Sequence, residues 1–249
     1  MKNIIASLMT IVLLQACNSI QSIPIETASP ETKPIETSSP EIKPIETSSP
    51  ETKPIGTSSP ETQSNNFAQW CENRNSLAPA TKHTVEVLLN EFSKNGNCQQ
   101  AGFEMRSAIG INLHNTEISD LSPLSSLHNL NALYLGWNQI SDLTPLAGLT
   151  NLQTLYLADN QISDLTPLTG LTKLVSLHLH NYNKNKNKIS DVRPLAGLKN
   201  LQVLSLSRNQ ISNINILSDL TNLTSLYIGE TGTSMEDCPV KKSESVCRF

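Results

Sequence analysis

Apolar positions divide the chain into stretches of different period. Between residues 108 and 229 they recur every 22 residues, at places 1, 4, 6, 11, 14, 17 and 20 of each unit. In the unit beginning at Leu130 these are Leu130, Leu133, Leu135, Ile140, Leu143, Leu146 and Leu149. Leu133 and Leu135 alternate with Ala132, Tyr134 and Gly136, the two-residue period of a short strand with one buried face. Residues 142–149 predict a short helical or irregular return. One unit cannot cover its own apolar set, so units must stack, which sets Leu133 beside Leu155, Leu177, Leu204 and Leu226. Each buried leucine contributes roughly 1.5–3 kcal/mol of transfer free energy before chain entropy is subtracted. Ahead of the repeats, Val85, Leu88, Leu89 and Phe92 follow the i, i+3, i+4, i+7 spacing of an amphipathic helix, with Pro79 in its first turn and Gly96 at its exit.

The polar positions carry as much information. Asn138 stands where the chain leaves the strand, and its amide can both donate to and accept from backbone groups that stacking would bury. Asn160, Asn187 and Asn209 hold the same place, while Thr116 replaces it in the first unit and is expected to loosen that turn. Asp142 caps the return through an Asx-type bond, and Pro145 needs no donor there. Asp120/Pro123, Asp164/Pro167 and Asp191/Pro194 repeat the pair, and Asn213/Ile216 lacks the proline. The unit from Leu174 has five extra residues. They fall in the run 181–187, which mixes Asn with Lys184 and Lys186 ahead of Lys188 and reads as a solvated loop, with a basic finger toward an anionic partner as the alternative.

The recurring pattern LxxLxLxxNxISDLxPLxxL resembles the leucine-rich repeats of bacterial internalins over about residues 108–229, just under half the chain. The resemblance implies a curved solenoid with a parallel sheet on its concave side, and protein recognition rather than catalysis. No wall-sorting signal or immunoglobulin-like domain follows the repeats, so a host-invasion role is not carried over. The expected fold is an α/β solenoid: a leucine-rich-repeat arc with a concave parallel β-sheet, a helical N-terminal cap and a short disulfide-bonded C-terminal cap.

At the start of the chain, Lys2 precedes an apolar run over 4–14 that ends in Leu14-Gln15-Ala16-Cys17. The run is too short to span a membrane and reads as a secretory signal. Leu14 to Cys17 resembles the lipobox of bacterial lipoproteins, which implies that Cys17 becomes the acylated N-terminus. Residues 23–62 are four copies of a ten-residue unit, with two prolines in each. Such a sequence forms neither helix nor inner strand and reads as an extended spacer. The expected organisation is a signal peptide over 1–16, a lipid-anchored Pro/Ser/Thr/Glu-rich disordered tether over 17–66, a helical cap over 67–107, repeats over 108–229 and a C-terminal cap over 230–249.

Charge narrows the possible partners. The net charge is −4, and the spacer's seven Glu and three Lys account for all of it. The remainder is neutral, which argues against a nucleic-acid binder. The four cysteines besides Cys17 allow three pairings. Cys71–Cys98 and Cys238–Cys247 are expected, because a solenoid keeps its ends apart; that separation also disfavours a four-cysteine zinc site. No phosphate-binding glycine loop and no nucleophile elbow occurs. His178 and His180 share one exposed strand face, but His114, the nearest third ligand, is three coils away, so neither metal nor cofactor is expected. The candidate partner surface comprises Tyr134, Trp137, Tyr156, Asp159, His178, His180, Arg208 and Tyr227. The expected function is an extracytoplasmic, membrane-anchored monomer that binds another protein through its concave face. An envelope hydrolase and an adhesin for a non-protein ligand are the alternatives.

Overall fold

The computed structural model describes residues 67–183, 186–232, 238–239 and 246–248. The signal segment, Cys17, the spacer, Lys184 and most of the region after the repeats lie outside the described residues. Seven strands form one parallel sheet in chain order: β1 (Gly110–Asn112), β2 (Ala132–Tyr134), β3 (Thr154–Tyr156), β4 (Ser176–His178), β5 (Val203–Ser205), β6 (Ser225–Tyr227) and β7 (Cys247–Arg248). The register is the one the repeat demands, Ile111↔Leu133↔Leu155↔Leu177↔Leu204↔Leu226. The fold is a leucine-rich-repeat arc with this sheet on its concave side.

Each return is a 3-10 turn: Ser122–Leu124, Thr144–Leu146, Thr166–Leu168, Arg193–Leu195 and Asn215–Leu217. The leucine spacing selects this form. Leu143, Leu146, Leu149 and Leu152 recur every three residues, the period of a 3-10 helix, and their amides bond three back: Leu146 to Leu143, Leu149 to Leu146 and Leu152 to Leu149, at 2.9, 2.9 and 3.0 Å. The predicted caps are present. Asp142, Asp164 and Asp191 accept the amides of Thr144, Thr166 and Arg193 at 2.8, 2.8 and 2.9 Å, and Asn213 does the same for Asn215 at 3.0 Å.

The asparagine ladder runs inside the coils. The Asn160 amide donates to the carbonyls of Leu135 and Leu157 at 2.9 and 3.1 Å, and its oxygen accepts the Ile140 amide at 3.0 Å. Asn138, Asn187 and Asn209 repeat the arrangement between their own pairs of coils. Thr116 does not leave its turn loose as expected: its hydroxyl donates to Leu113 O at 2.9 Å. Thr231, at the corresponding place in the last unit, donates to Ile228 O at 2.6 Å. A threonine suffices at either end because its hydroxyl can close the turn of its own coil.

Three helices close the N-terminal end: α1 (Phe67–Glu72), α2 (Pro79–Phe92) and α3 (Cys98–Ser107). Only α2 was legible from periodicity. Val85, Leu88 and Leu89 are buried as its spacing requires, and Asn97 caps α3 by accepting the Gln100 amide at 2.9 Å. The α2 helix docks on the first coil through polar groups. Thr84 donates to Asp120 O at 2.7 Å, His83 Nε2 lies 2.7 Å from Thr116 O, and the Thr81 hydroxyl bonds the Asp120 carboxylate. Partial burial pushes the Asp120 carboxyl up, but bonds from Ser122 and Thr81 outweigh it and hold the carboxyl below its usual range. Disulfides join Cys71 to Cys98 and Cys238 to Cys247, the expected pairing. β7 was not foreseen. Leu226 N donates to Val246 O at 2.7 Å and Ile228 N to Arg248 O at 3.0 Å, so the chain returns to add a strand beyond β6.

Candidate partner-binding surface

The concave face is built from places 3, 5 and 7 of each unit. From β1 to β6 these are small, hydroxyl, amide, imidazole or phenol side chains, and none is charged. Place 5 runs Asn112, Tyr134, Tyr156, His178, Ser205 and Tyr227, neighbours in register across the sheet. Place 8 lies at the strand exit in the left-handed region, with φ of 55° at Asn115, 55° at Trp137, 54° at Asp159, 61° at Arg208 and 56° at Glu230. This conformation costs a non-glycine residue about 1–2 kcal/mol. In return, Trp137 N reaches Ala158 O at 2.8 Å and Arg208 N reaches Gly229 O at 2.8 Å, which extends the inter-coil bonds past the strands.

The rings do not stand singly. His114 meets Trp137 edge-on at 4.5 Å, Trp137 contacts Tyr182 at 5.5 Å, and Tyr182 meets His180 edge-on at 4.8 Å. Tyr156 lies 5.7 Å from His180 and 5.1 Å from His178. A close approach makes this wall possible. A Cβ at Gly136 would sit 2.6 Å from the Tyr156 ring and 2.9 Å from His114 Nδ1. The space above Gly136 is therefore filled by these two rings.

The extra residues of the fourth unit enter between its places 8 and 9, held by Asn181 and Asn187. Asn187 N donates to Asn181 Oδ1 at 2.9 Å, and Asn181 Nδ2 donates to Asn187 O at 3.0 Å, which closes the base of the insertion. Its first residues are clamped from both sides. Asp159 accepts the amides of Tyr182 and Asn183 at 3.1 and 3.0 Å, as well as Trp137 Nε1 at 2.5 Å. Arg208 donates to Tyr182 O at 2.7 Å and pairs with Glu230 at 2.9 Å. The first residues of the insertion thus form a held edge of the ring wall, not the free loop expected.

The family model for leucine-rich repeats in two copies matches residues 109–148, 150–197 and 199–237, together just over half of the 249 residues. The chain belongs to the leucine-rich-repeat family. Among solved structures, internalin C2 from Listeria monocytogenes is 46% identical over 51% of this chain and 54% of its own, with a TM-score of 0.47. A second internalin of that organism, inlF, is 24% identical over 61% of this chain and 52% of its own, with a TM-score of 0.46. A leucine-rich-repeat protein from Leptospira interrogans is 27% identical over 49% of this chain and 37% of its own, with a TM-score of 0.41. The chain spans about half the length of each of these internalins. No curated protein matches at a significant level.

Several residues of this leucine-rich-repeat protein have roles other than those the sequence suggested. Asp159, expected at a contact surface, is fully buried and positions its neighbours. His178 and His180 are half-buried, not exposed. His178 Nε2 lies 2.9 Å from the Ser176 hydroxyl. Burial, then the nearby His180, pushes the His178 imidazole down to about 4. Burial also lowers His180 and His114, partly offset by the Asp159 charge. Burial raises the Tyr156 phenol, aided by its bond to Tyr182. Tyr134 stands between Asn112 and Tyr156 in register. Tyr227 remains 36% exposed, with the Arg248 guanidinium 5.7 Å from its ring centre. Tyr182 was missed, although it is 44% exposed and belongs to the wall. The signal was available: it is an aromatic residue at the strand exit, like Trp137. Among the described residues no three His, Cys, Asp or Glu side chains converge as metal ligands.

Proposed function

We propose that this chain is an extracytoplasmic, membrane-anchored monomer that binds another protein through the concave face of its sheet. One observation carries the reading: places 3, 5 and 7 from β1 to β6 hold no charged side chain yet carry three tyrosines, with Trp137 at the rim. Tyrosine and tryptophan combine large apolar area with a polar tip and are enriched at interface hot spots. An uncharged bed beneath them lowers the desolvation cost of docking. Two disulfides suit an oxidising compartment. The apolar run and Cys17 support lipid anchoring, since acyl chains contribute about 0.8 kcal/mol per buried methylene.

Photo-crosslinking in cell envelopes tests the binding face. A photoreactive residue at Tyr134 or Tyr227 is expected to capture a discrete partner, and one at Ile216 or Lys199, in the return half of the coils, is not. Equal capture from both sets removes the concave face from the proposal. Anchoring is tested separately: Cys17→Ser should abolish acyl labelling, and label that persists on this variant excludes Cys17 as the attachment point.

A further inference from the structure

His180 holds an unusual position in the wall. Its Nε2 lies 3.4 Å from the Tyr156 hydroxyl, and its Nδ1 is buried without a hydrogen-bond partner. Its ring packs edge-on against both Tyr156 and Tyr182, 6.0 Å from the ring of His178. A neutral imidazole tolerates this arrangement, with Nδ1 as an unused acceptor. An imidazolium does not, because both nitrogens then carry N–H groups and the buried Nδ1–H has nothing to donate to. A second proton on His178 adds like-charge repulsion. The charged groups around the pair do not remove the conflict. Asp159 is the buried acid, and it already accepts Trp137 Nε1 and the two insertion amides. Arg208, on the following coil, is cationic and bound to Glu230 and Tyr182 O. Lys186 and Lys188 add further positive charge on the return of the insertion. Ser205 and Ser207, on the adjoining coil, are neutral.

We propose that His180 and His178 form a proton-operated latch, which holds Tyr182 and Asn183 against the concave wall when neutral and releases them when protonated. The two rings would take up protons most readily once turned out to water, so protonation and release are one equilibrium. The sign follows from the lowered imidazoles. Turned outward they regain the ordinary value of 6.5, whereas closed His178 sits at about 4. Closure is therefore fully favoured above the ordinary value and weakens as pH falls toward the closed one. The weakening is about tenfold per pH unit for each histidine taking part. The latch sits on the surface proposed to bind a partner and depends on that reading for its biological use, but it is measured without one.

The test is hydrogen exchange on the full chain, with protection referred to the intrinsic rate at each pH. The Tyr182 and Asn183 amides are expected to lose at least about tenfold in protection between pH 7 and about 4.5. The Leu206 amide, bonded to Tyr227 O at 2.7 Å, should hold steady. Loss at the insertion should vanish in the His178→Gln/His180→Gln variant. Protection that is independent of pH overturns the latch, and so does an unchanged loss in the double variant, which would assign the effect to a carboxylate. If that variant does not fold, imidazole proton resonances of the unaltered chain decide: midpoints for His178 or His180 must coincide with the loosening, and midpoints elsewhere overturn the proposal. Failure here leaves the concave crosslinking result untouched.

Discussion

Asn160 and Asp159 are neighbours in sequence, both fully buried, and both reach other coils with their side chains. Asn160 belongs to the ladder at place 9. It bonds the carbonyls of Leu135 and Leu157 and the amide of Ile140, and asparagines at the same place do likewise across the array. Asp159 belongs to the rim at place 8, where the residues are Asn115, Trp137, Asp159, Asn181, Arg208 and Glu230. What it holds is particular to its coil: one indole and one insertion. The interior is uniform because every coil must satisfy the same backbone groups. The rim is free to vary because only the backbone there is fixed.

The largest effect should come from breaking the ladder. Asn160→Ala strands two carbonyls and an amide in a dry interior, and a loss of about 3 kcal/mol or more is expected in chemical denaturation. A loss below about 1 kcal/mol would mean that water replaces the side chain and that the interior is less strict than described. Next is the cap. Cys71→Ser/Cys98→Ser should cost about 2–4 kcal/mol, with hydrogen exchange rising in α1 to α3 before β3 to β5. Equal loosening everywhere would merge cap and ladder into one cooperative unit.

The rim should respond more mildly and more locally. Gly136→Ala places a methyl group against the Tyr156 ring, which must move; about 1–2 kcal/mol and an altered near-ultraviolet dichroism of the aromatic residues are expected. A variant with unchanged dichroism would show that the wall is not wedged on Gly136. Tyr134→Ala is the gentlest for the fold. It should leave the melting temperature nearly unchanged, while a captured partner binds more weakly by over about 1 kcal/mol. Tyr156→Ala does not separate the two effects, because that ring packs against Gly136 and the wall.

The repeat made most of the fold legible. The leucine places gave strand, register and stacking, and the Asp/Pro pair gave the capped return. Places where residues act across coils without repeating were harder to read. The return bonds of Asn151, Asn200 and Asn222 to His128 O, Thr172 O and Lys199 O, each at 2.8 Å, form a second asparagine series outside the leucine pattern. Asp159 looked like a surface acid because nothing in its own unit marks it as a clamp. Its partners, Trp137 and Tyr182, are 22 and 23 residues away. β7 was hidden because a two-residue strand has no period of its own and lies beyond the last complete unit.

The closed base formed by Asn181 and Asn187 makes this junction a graft point. Both ends of the inserted segment are fixed by side-chain bonds to each other, and the ladder bonds of Asn187 continue unbroken to Leu157 and Leu179. Between the clamped Asn183 and the base at Asn187, length and sequence can change at little thermodynamic expense, since doubling a loop adds only about 0.6 kcal/mol of closure entropy. New recognition surfaces can therefore be installed by exchanging residues 184–186 alone, on a scaffold whose 22-residue grammar and aromatic wall stay untouched.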